Sequence, residues 1–113
     1  MGNSTFTRAD RVYQKQDYAA AYRSGKRIET GNFAVIIRSN GHGRPRMGLS
    51  VSKRIAGAVK RNRIKRLVRE FFRLHKSCFS TSNDYIFSVR RLPLSLNYQD
   101  IERELKDLFV KTC

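Results

Sequence analysis

Residues 46–74 read RMGLSVSKRIAGAVKRNRIKRLVREFFRL, and the hydrophobic period changes within this stretch. Over residues 46–52 apolar residues alternate with Gly or Ser, as in a strand whose two sides differ. The residues predicted to face the core are Met47, Leu49 and Val51, and those on the other side are Gly48, Ser50 and Ser52. From about residue 56 to residue 76 apolar residues recur every three or four positions, which predicts that a long helix follows the strand.

The predicted helix has two chemically different sides when its residues are placed about 100° apart. The apolar side, expected to pack on a sheet, carries Ile64, Leu67, Val68, Phe71 and Leu74. The opposite side carries Asn62, Lys65, Arg66, Arg69 and Arg73, with Arg61 and Arg63 at its two edges.

The flanking sequence predicts the remaining elements. A first helix over residues 15–24 ends at Gly25, and a short strand follows at about residues 27–30. Residues 32–38 are rich in strand formers and are expected to pair antiparallel with residues 46–52 through the turn sequence between them. A further strand is predicted over residues 84–91, and Pro93 follows its end. The last helix begins near Asn97, whose side chain can cap it, and places Ile101, Leu105, Leu108 and Phe109 on one face.

This order, α-β-β-β-α-β-α, is typical of an α+β protein. We expect one domain over residues 1–113, in which one layer of three helices covers a sheet of about four strands.

The charge of the chain indicates its kind of partner. There are 24 Lys and Arg against 9 Asp and Glu, a formal net charge of +15. Like charges at this density repel one another, and binding to a polyanion with release of counterions offsets that repulsion. An anionic membrane is disfavoured because the sequence has no run of 18 apolar residues. We therefore expect nucleic acid as the partner, no membrane and, since the first residues lack the apolar run of a signal peptide, a cytoplasmic protein.

Few residues suggest chemistry performed by the protein. Cys78 and Cys113 are too few for a disulfide framework or a zinc site, and free thiols are expected. His42 and His75 have no carboxylate or cysteine pattern that would make either a ligand or a base. We expect no catalytic residue, no metal site and no cofactor bound by the protein alone.

The predicted long helix and the loop before it form a strongly basic segment. Between residues 53 and 73 nine residues are basic and Glu70 is the only acid. A solvated helix face is the alternative, and it predicts interspersed acids that would form i,i+4 ion pairs. Here like charges stand four apart instead, at Arg61, Lys65, Arg69 and Arg73. Each such pair costs a few tenths of a kcal/mol in the free protein, roughly, which favours a surface that binds phosphates.

A second surface is predicted where small side chains line the strand at Gly48, Ser50 and Ser52. An extended ligand can approach such a flat, hydrogen-bonding surface closely, although a sparsely covered solvent face explains the pattern equally well. Tyr18 and Tyr22 on the first helix have two interpretations as well, since their rings can pack in the core or stack on unpaired bases.

Residues 48–54, 58–66 and 69–73 together resemble the signature of the bacterial ribonuclease P protein family. Arg61, Asn62 and Arg63 look like the RNR motif of that family. The similarity continues upstream through Tyr18, Tyr22 and Gly25, and downstream through residues 84–86, Arg90 and the closing helix. The family often has Phe where this chain has Tyr18 and Tyr22, and Tyr keeps the capacity to stack.

The resemblance implies an RNA partner that performs the chemistry. An associated ribonuclease P RNA would hydrolyse the phosphodiester with magnesium, and the protein would be the accessory subunit that also contacts precursor tRNA, with no other protein required. The residues that would touch RNA are Lys53, Arg54, Lys60, Arg61, Asn62, Arg63, Lys65, Arg66 and Arg69. A cleft for the 5′ leader would be lined by Tyr18, Tyr22, Phe33, Ser50 and Ser52. The resemblance also implies a left-handed crossover between parallel strands, against the general preference for the right hand.

Three classes of function fit the composition. They are a subunit of a ribonucleoprotein enzyme, a structural RNA-binding protein such as a small ribosomal protein, and a DNA-binding module. The ordered motif favours the first.

Overall fold

The computed structural model describes residues 11–12, 14–41, 43–79 and 82–109. The elements follow one another as α1 (Lys15–Ser24), β1 (Lys26–Glu29), β2 (Phe33–Ser39), β3 (Arg46–Ser50), α2 (Ala58–Leu74), β4 (Asn83–Val89) and α3 (Tyr98–Phe109), and a 3-10 turn at Lys76–Cys78 follows α2. The α+β class and the predicted order of elements are therefore confirmed.

The four strands form one sheet in the order β1-β2-β4-β3. β2 pairs antiparallel with β1 and with β4, whereas β3 runs parallel to β4. The predicted pairing of residues 32–38 with residues 46–52 is wrong, because β4 lies between these strands. The reason is burial: Tyr85, Ile86 and Phe87 are consecutive buried residues, and a strand with two apolar sides is stable only in the interior of a sheet covered on both faces. Since β3 and β4 are parallel and α2 connects them, a crossover exists, and its left hand stays a prediction.

Helices cover both faces of the sheet. The main core joins Phe33, Val35 and Phe87 of the strands to residues of α2 and α3. On the opposite face Ala21 and Tyr18 of α1 pack against Ile36 and Ile86. The expected single layer of helices is therefore corrected to two layers around the sheet, which the alternation of β2 allows because Val35 and Ile36 point to opposite faces.

The helix α2 is shorter than predicted, and its last residues differ from the prediction in which side chains are buried. Ile64, Val68 and Phe71 are buried as expected, but Leu74 is 47% exposed. Leu74 is the last residue of α2, and the chain turns away after it. Phe72 is buried instead, because its ring packs on that of Phe79 with 4.8 Å between the ring centroids.

The end of α1 and the start of α3 are each explained by a local contact. α1 ends before Gly25, where a Cβ would lie 2.6 Å from the Ala21 carbonyl oxygen and 2.6 Å from Cγ2 of Ile36. Close packing of the turn against β2 therefore requires glycine here. At the start of α3 the Asp100 backbone nitrogen donates to Oδ1 of Asn97 at 2.9 Å, which confirms the predicted cap.

One cysteine differs from expectation. Cys78 is disulfide-bonded, so the prediction of a free thiol is wrong for this residue. Pairing of cysteines depends on their distance in the fold, which their spacing along the chain does not show. The predictions for Cys113 and His42 concern residues outside the described ranges.

Candidate nucleic-acid interface

The outward side of α2 and the loop before it form a basic surface, as predicted. Six of the nine predicted RNA-binding residues are exposed, and these are Lys53, Arg54, Lys60, Asn62, Arg63 and Arg66. The half-buried members of the set are Arg61, Lys65 and Arg69. All nine lie on α2 and the loop that precedes it, with Arg63 reaching toward Leu96 and Lys65 and Arg69 lying on the side of Tyr18.

The two arginines of the RNR sequence are held in place by backbone carbonyl groups. Nε of Arg61 donates to the Ala56 carbonyl oxygen at 3.1 Å, and Nε of Arg63 donates to that of Leu96 at 2.9 Å. Each bond uses the inner nitrogen of the guanidinium and leaves its outer fork for a bidentate contact. Among the described residues, Asn62 makes no hydrogen bond to either arginine, so its exposed amide is directed to solvent rather than to its neighbours. The guanidinium groups of Arg61 and Arg63 are thus held in place by the backbone.

Acidic residues neutralise little of this surface. Glu70 forms an ion pair with Arg73 at 2.5 Å, and hydrogen bonding from Arg73 lowers the pKa of the Glu70 carboxyl below its usual value. Within the part of the chain that the structure describes, Lys65, Arg66 and Arg69 have no carboxylate at ion-pair distance. The predicted run of like charges along α2 is therefore present on the folded surface.

The opposite face of the sheet forms a cleft beside α1. Tyr18 lies over β3, where a Cβ on Gly48 would stand 2.6 Å from its hydroxyl oxygen. The row of the sheet next to Gly48 consists of Ala34, Ser88 and Ser50, which are register partners on β2, β4 and β3. Ser50 and Ser88 are half-exposed. Small side chains therefore line the sheet here, and we call the surface of Tyr18, Tyr22, Ser50 and Ser88 the leader cleft, after the 5′ leader that the family resemblance predicts beside α1.

The rotation of α1 indicates on which side of the helix Tyr22 lies. Oδ2 of Asp17 lies 3.6 Å from Nη2 of Arg46. Along β3, Arg46 and Ser50 lie on opposite sides of Gly48. Five residues at about 100° each put Tyr22 about 140° away from Asp17 around the helix, and we infer from this that Tyr22 lies on the side of Ser50 and Ser88. Tyr22 is 47% exposed, so its ring can form a wall of the leader cleft.

A buried ion pair fixes the other side of α1. Arg46 on β3 donates from Nε and Nη2 to the two carboxylate oxygens of Asp84 on β4 at 2.8 and 2.7 Å. Asp84 is 1% exposed and also accepts from Nδ2 of Asn40 at 2.7 Å. Because Arg46 also lies near Asp17, this group connects β3, β4 and α1.

Phe33 does not belong to the leader cleft. It is completely buried in the main core, on the face of the sheet that α2 and α3 cover. Its predicted position is wrong because residues 33 and 35, two apart on β2, point to the same face of the sheet, which is the face away from α1. Ser52 lies beyond the end of β3 and is exposed, and its hydroxyl accepts from the Arg54 backbone nitrogen at 3.1 Å. Ser88 was missed by sequence reasoning, although a lone serine in the apolar run of β4 was the available signal.

A wider cavity lies elsewhere, between α3 and the segment that follows β4. It has a volume of about 540 Å³, and Arg91, Leu94, Asp100 and Glu104 are among its lining residues. Glu104 accepts two hydrogen bonds from Asn32 and one from Thr30, so its carboxylate is already used to hold the turn before β2. None of the predicted RNA-binding residues lines this cavity.

The described residues contain no cluster of three or more His, Cys, Asp or Glu placed to hold a metal ion. In the same residues no helix is both long and apolar enough to cross a bilayer. Binding of magnesium through RNA stays a prediction.

Comparison with known proteins identifies the family. The model of the family described as Ribonuclease P matches residues 6–113. The chain belongs to the ribonuclease P protein family. The ribonuclease P protein component of Syntrophus aciditrophicus is 40% identical over 98% of this chain and 93% of its own length, and that of Desulforapulum autotrophicum is 35% identical over 98% and 95%.

Solved ribonuclease P proteins share the fold. The protein of Staphylococcus aureus superposes with a TM-score of 0.81 at 31% identity, covering 92% of this chain and 94% of that one. The protein of Thermotoga maritima superposes with a TM-score of 0.80 at 25% identity, covering 89% and 96%. The family resemblance drawn from residues 48–73 is therefore confirmed, and a ribosomal protein or a DNA-binding module is not favoured.

Proposed function

We propose that this ribonuclease P protein assists removal of the 5′ leader from precursor tRNA by binding two RNA segments at once. The outward side of α2 binds the catalytic RNA, and the leader cleft binds the single-stranded leader. The RNA hydrolyses the phosphodiester with magnesium, and the protein supplies affinity and position. Removal of the leader takes place in the cytoplasm and requires no other protein.

The observation that carries this proposal is the placement of two different surfaces on the two sides of β3. On one side stand guanidinium groups held by backbone carbonyls, the arrangement that binds phosphates of a folded RNA. On the other side stand the serines of the leader cleft and the exposed ring of Tyr22. Sequence-tolerant recognition of single strands uses aromatic faces in this way, with about 1–3 kcal/mol for each stacked base.

The leader cleft is tested by comparing two substrates on the same reconstituted particle. Tyr22→Ala should weaken binding of precursor tRNA by about tenfold, because one stacking contact is lost. Binding of mature tRNA, which has no leader, should not change. Tyr22→Phe keeps the ring and should restore the affinity for precursor tRNA. Equal losses for precursor and mature tRNA would show that Tyr22 does not meet the leader.

A further inference from the structure

The segment between β4 and α3 reaches the basic side of α2 at Arg63. Nε of Arg63 donates to the Leu96 carbonyl oxygen at 2.9 Å. Arg63 is exposed, and a long arginine side chain on a surface otherwise moves among many rotamers. A hydrogen bond to a fixed acceptor restricts this motion before any ligand binds, so the benefit depends on how firmly the acceptor itself is held.

The Leu96 carbonyl lies between two residues that are bonded to the first turn of α3. Nδ2 of Asn97 donates to Oγ of Ser95 at 2.6 Å and to Oδ2 of Asp100 at 3.1 Å. Oδ1 of Asn97 accepts from the Asp100 backbone nitrogen at 2.9 Å. Hydrogen bonds from Ser95 and Asn97 lower the pKa of the Asp100 carboxyl, so this group stays an ionised acceptor at neutral pH. Because Ser95 and Asn97 flank Leu96, the backbone between them has little freedom.

The same backbone is anchored to the core of the protein. The Leu96 side chain is half-buried and packs against the main core. The Asn97 carbonyl oxygen accepts from the Ile101 backbone nitrogen at 3.3 Å, and Ile101 is itself buried. The acceptor of Arg63 is therefore fixed by α3 on one side and by the core on the other.

The first arginine of the RNR sequence has a different support. Nε of Arg61 donates to the carbonyl oxygen of Ala56, which lies in the loop directly before α2. The supports of Arg61 and Arg63 thus belong to separate segments of the chain. A change at the start of α3 should reach Arg63 and should not reach Arg61.

We propose that Ser95, Asn97 and Asp100 form a positioning group that fixes the Leu96 carbonyl and thereby holds the Arg63 guanidinium in place for the catalytic RNA. The proposal rests on the proposed function, in which Arg63 contacts that RNA. Asn97 is the central positioning residue, because its amide is bonded to both other members of the group. The RNA surface is then built by two helices: α2 supplies the charge, and the start of α3 supplies its direction.

The proposal is tested on the full-length protein with a bacterial ribonuclease P RNA. Asn97→Ala should weaken RNA binding by about two- to tenfold, the effect of a side chain that must now be immobilised on binding. The dependence of affinity on salt should keep its slope, because no charge is lost and the phosphate contact still forms in the complex. Arg63→Gln should weaken binding and also make this slope shallower.

Two results would overturn the proposal, and they are distinguishable. Unchanged RNA affinity of Asn97→Ala, together with a loss for Arg63→Gln, would overturn the positioning role and leave the proposed function standing. Unchanged affinity of both variants would show that Arg63 does not contact this RNA, which contradicts the proposed function at this residue as well.

Matched variants separate positioning from a general loss of stability. Asn32→Ala also removes an amide that is bonded to a carboxylate of α3, that of Glu104, and it also leaves the net charge unchanged. It should not alter RNA affinity. Asn97→Ser keeps an oxygen that can accept from the Asp100 backbone nitrogen and should restore most of the affinity. Urea unfolding shows that each variant is folded under the binding conditions. Equal losses for Asn32→Ala and Asn97→Ala would indicate destabilisation of α3 rather than misplacement of Arg63.

The connection to one particular arginine is tested by two double-mutant cycles. Asn97→Ala should have no further effect on RNA affinity when Arg63→Gln is already present. It should keep its full effect when Arg61→Gln is present instead. Additive losses with Arg63→Gln, or equal coupling to both arginines, would show that Asn97 does not act through Arg63.

Discussion

The ring of Tyr18 stands directly on the backbone of Gly48. A Cβ on Gly48 would lie 2.6 Å from the Tyr18 hydroxyl oxygen and 2.9 Å from Cζ, both shorter than carbon atoms tolerate. The Tyr18 hydroxyl is itself held by Leu49 and Val12, so the ring has little room to move away. Glycine at position 48 therefore allows α1 to approach β3 closely.

Gly48→Ala should destabilise the protein by about 1–3 kcal/mol, the usual cost of inserting a methyl group into a packed site. Urea unfolding of the two proteins measures this difference. The same substitution in a Tyr18→Ala background should cost much less, because the clashing ring has been removed. An equal cost in both backgrounds would show that another contact of Gly48 is responsible.

Asp84→Ala should be among the more damaging substitutions in the sheet. It leaves the guanidinium of Arg46 without its buried bidentate partner, and breaking such a pair typically costs about 3 kcal/mol or more. Glu29→Ala breaks the exposed pair with Arg27 and should change stability little. Thermal unfolding of both variants makes the comparison. Similar shifts would contradict a structural role for the Arg46–Asp84 pair.

Arg61→Gln and Arg63→Gln should weaken binding to a ribonuclease P RNA by about tenfold each, because each removes a charged contact to phosphate. The dependence of affinity on salt should also become shallower, by roughly one unit of logarithmic slope or slightly less for each lost contact. Lys106→Gln, which removes the same charge from an exposed position on α3, is the matched control. A loss for Lys106→Gln as large as for the arginines would indicate general charge attraction rather than a defined surface.

The stability of the protein should decline at alkaline pH through Tyr98. Burial, with the nearby charges of Glu102 and Glu70, raises the pKa of the Tyr98 phenol from 10.0 to about 12. The folded state thus favours the protonated phenol, and its contribution is complete below pH 10.0 and lost as the pH rises toward about 12. The unfolding free energy should therefore fall more steeply with pH in the unchanged protein than in Tyr98→Phe, measured in urea between about pH 9 and about pH 11. Parallel curves would show that Tyr98 titrates normally.

Features set by local sequence could be predicted. The bounds of α1, the cap of Asn97 and the alternation of Met47 and Leu49 follow from periodicity and side-chain chemistry within a few residues. The basic side of α2 was predictable for the same reason, because one turn of helix decides which side chains share a face.

Features set by packing between distant segments could not be predicted in this way. The position of β4 between β2 and β3 depends on which strand can be covered on both faces. The burial of Phe33 away from α1 depends on the same arrangement. The Val12 backbone lies beside β3, where the Tyr18 hydroxyl of α1 bonds to both Val12 and Leu49, and no periodic pattern in the sequence marks that contact.

The central claim is that the protein helps an RNA catalyst to remove the leader. Cleavage of precursor tRNA by a bacterial ribonuclease P RNA at low magnesium, with and without the protein, tests it most directly. The account predicts faster release of the 5′ leader when the protein is added and no cleavage by the protein alone. Tight RNA binding without stimulation of any such RNA, or cleavage by the protein alone, would contradict it.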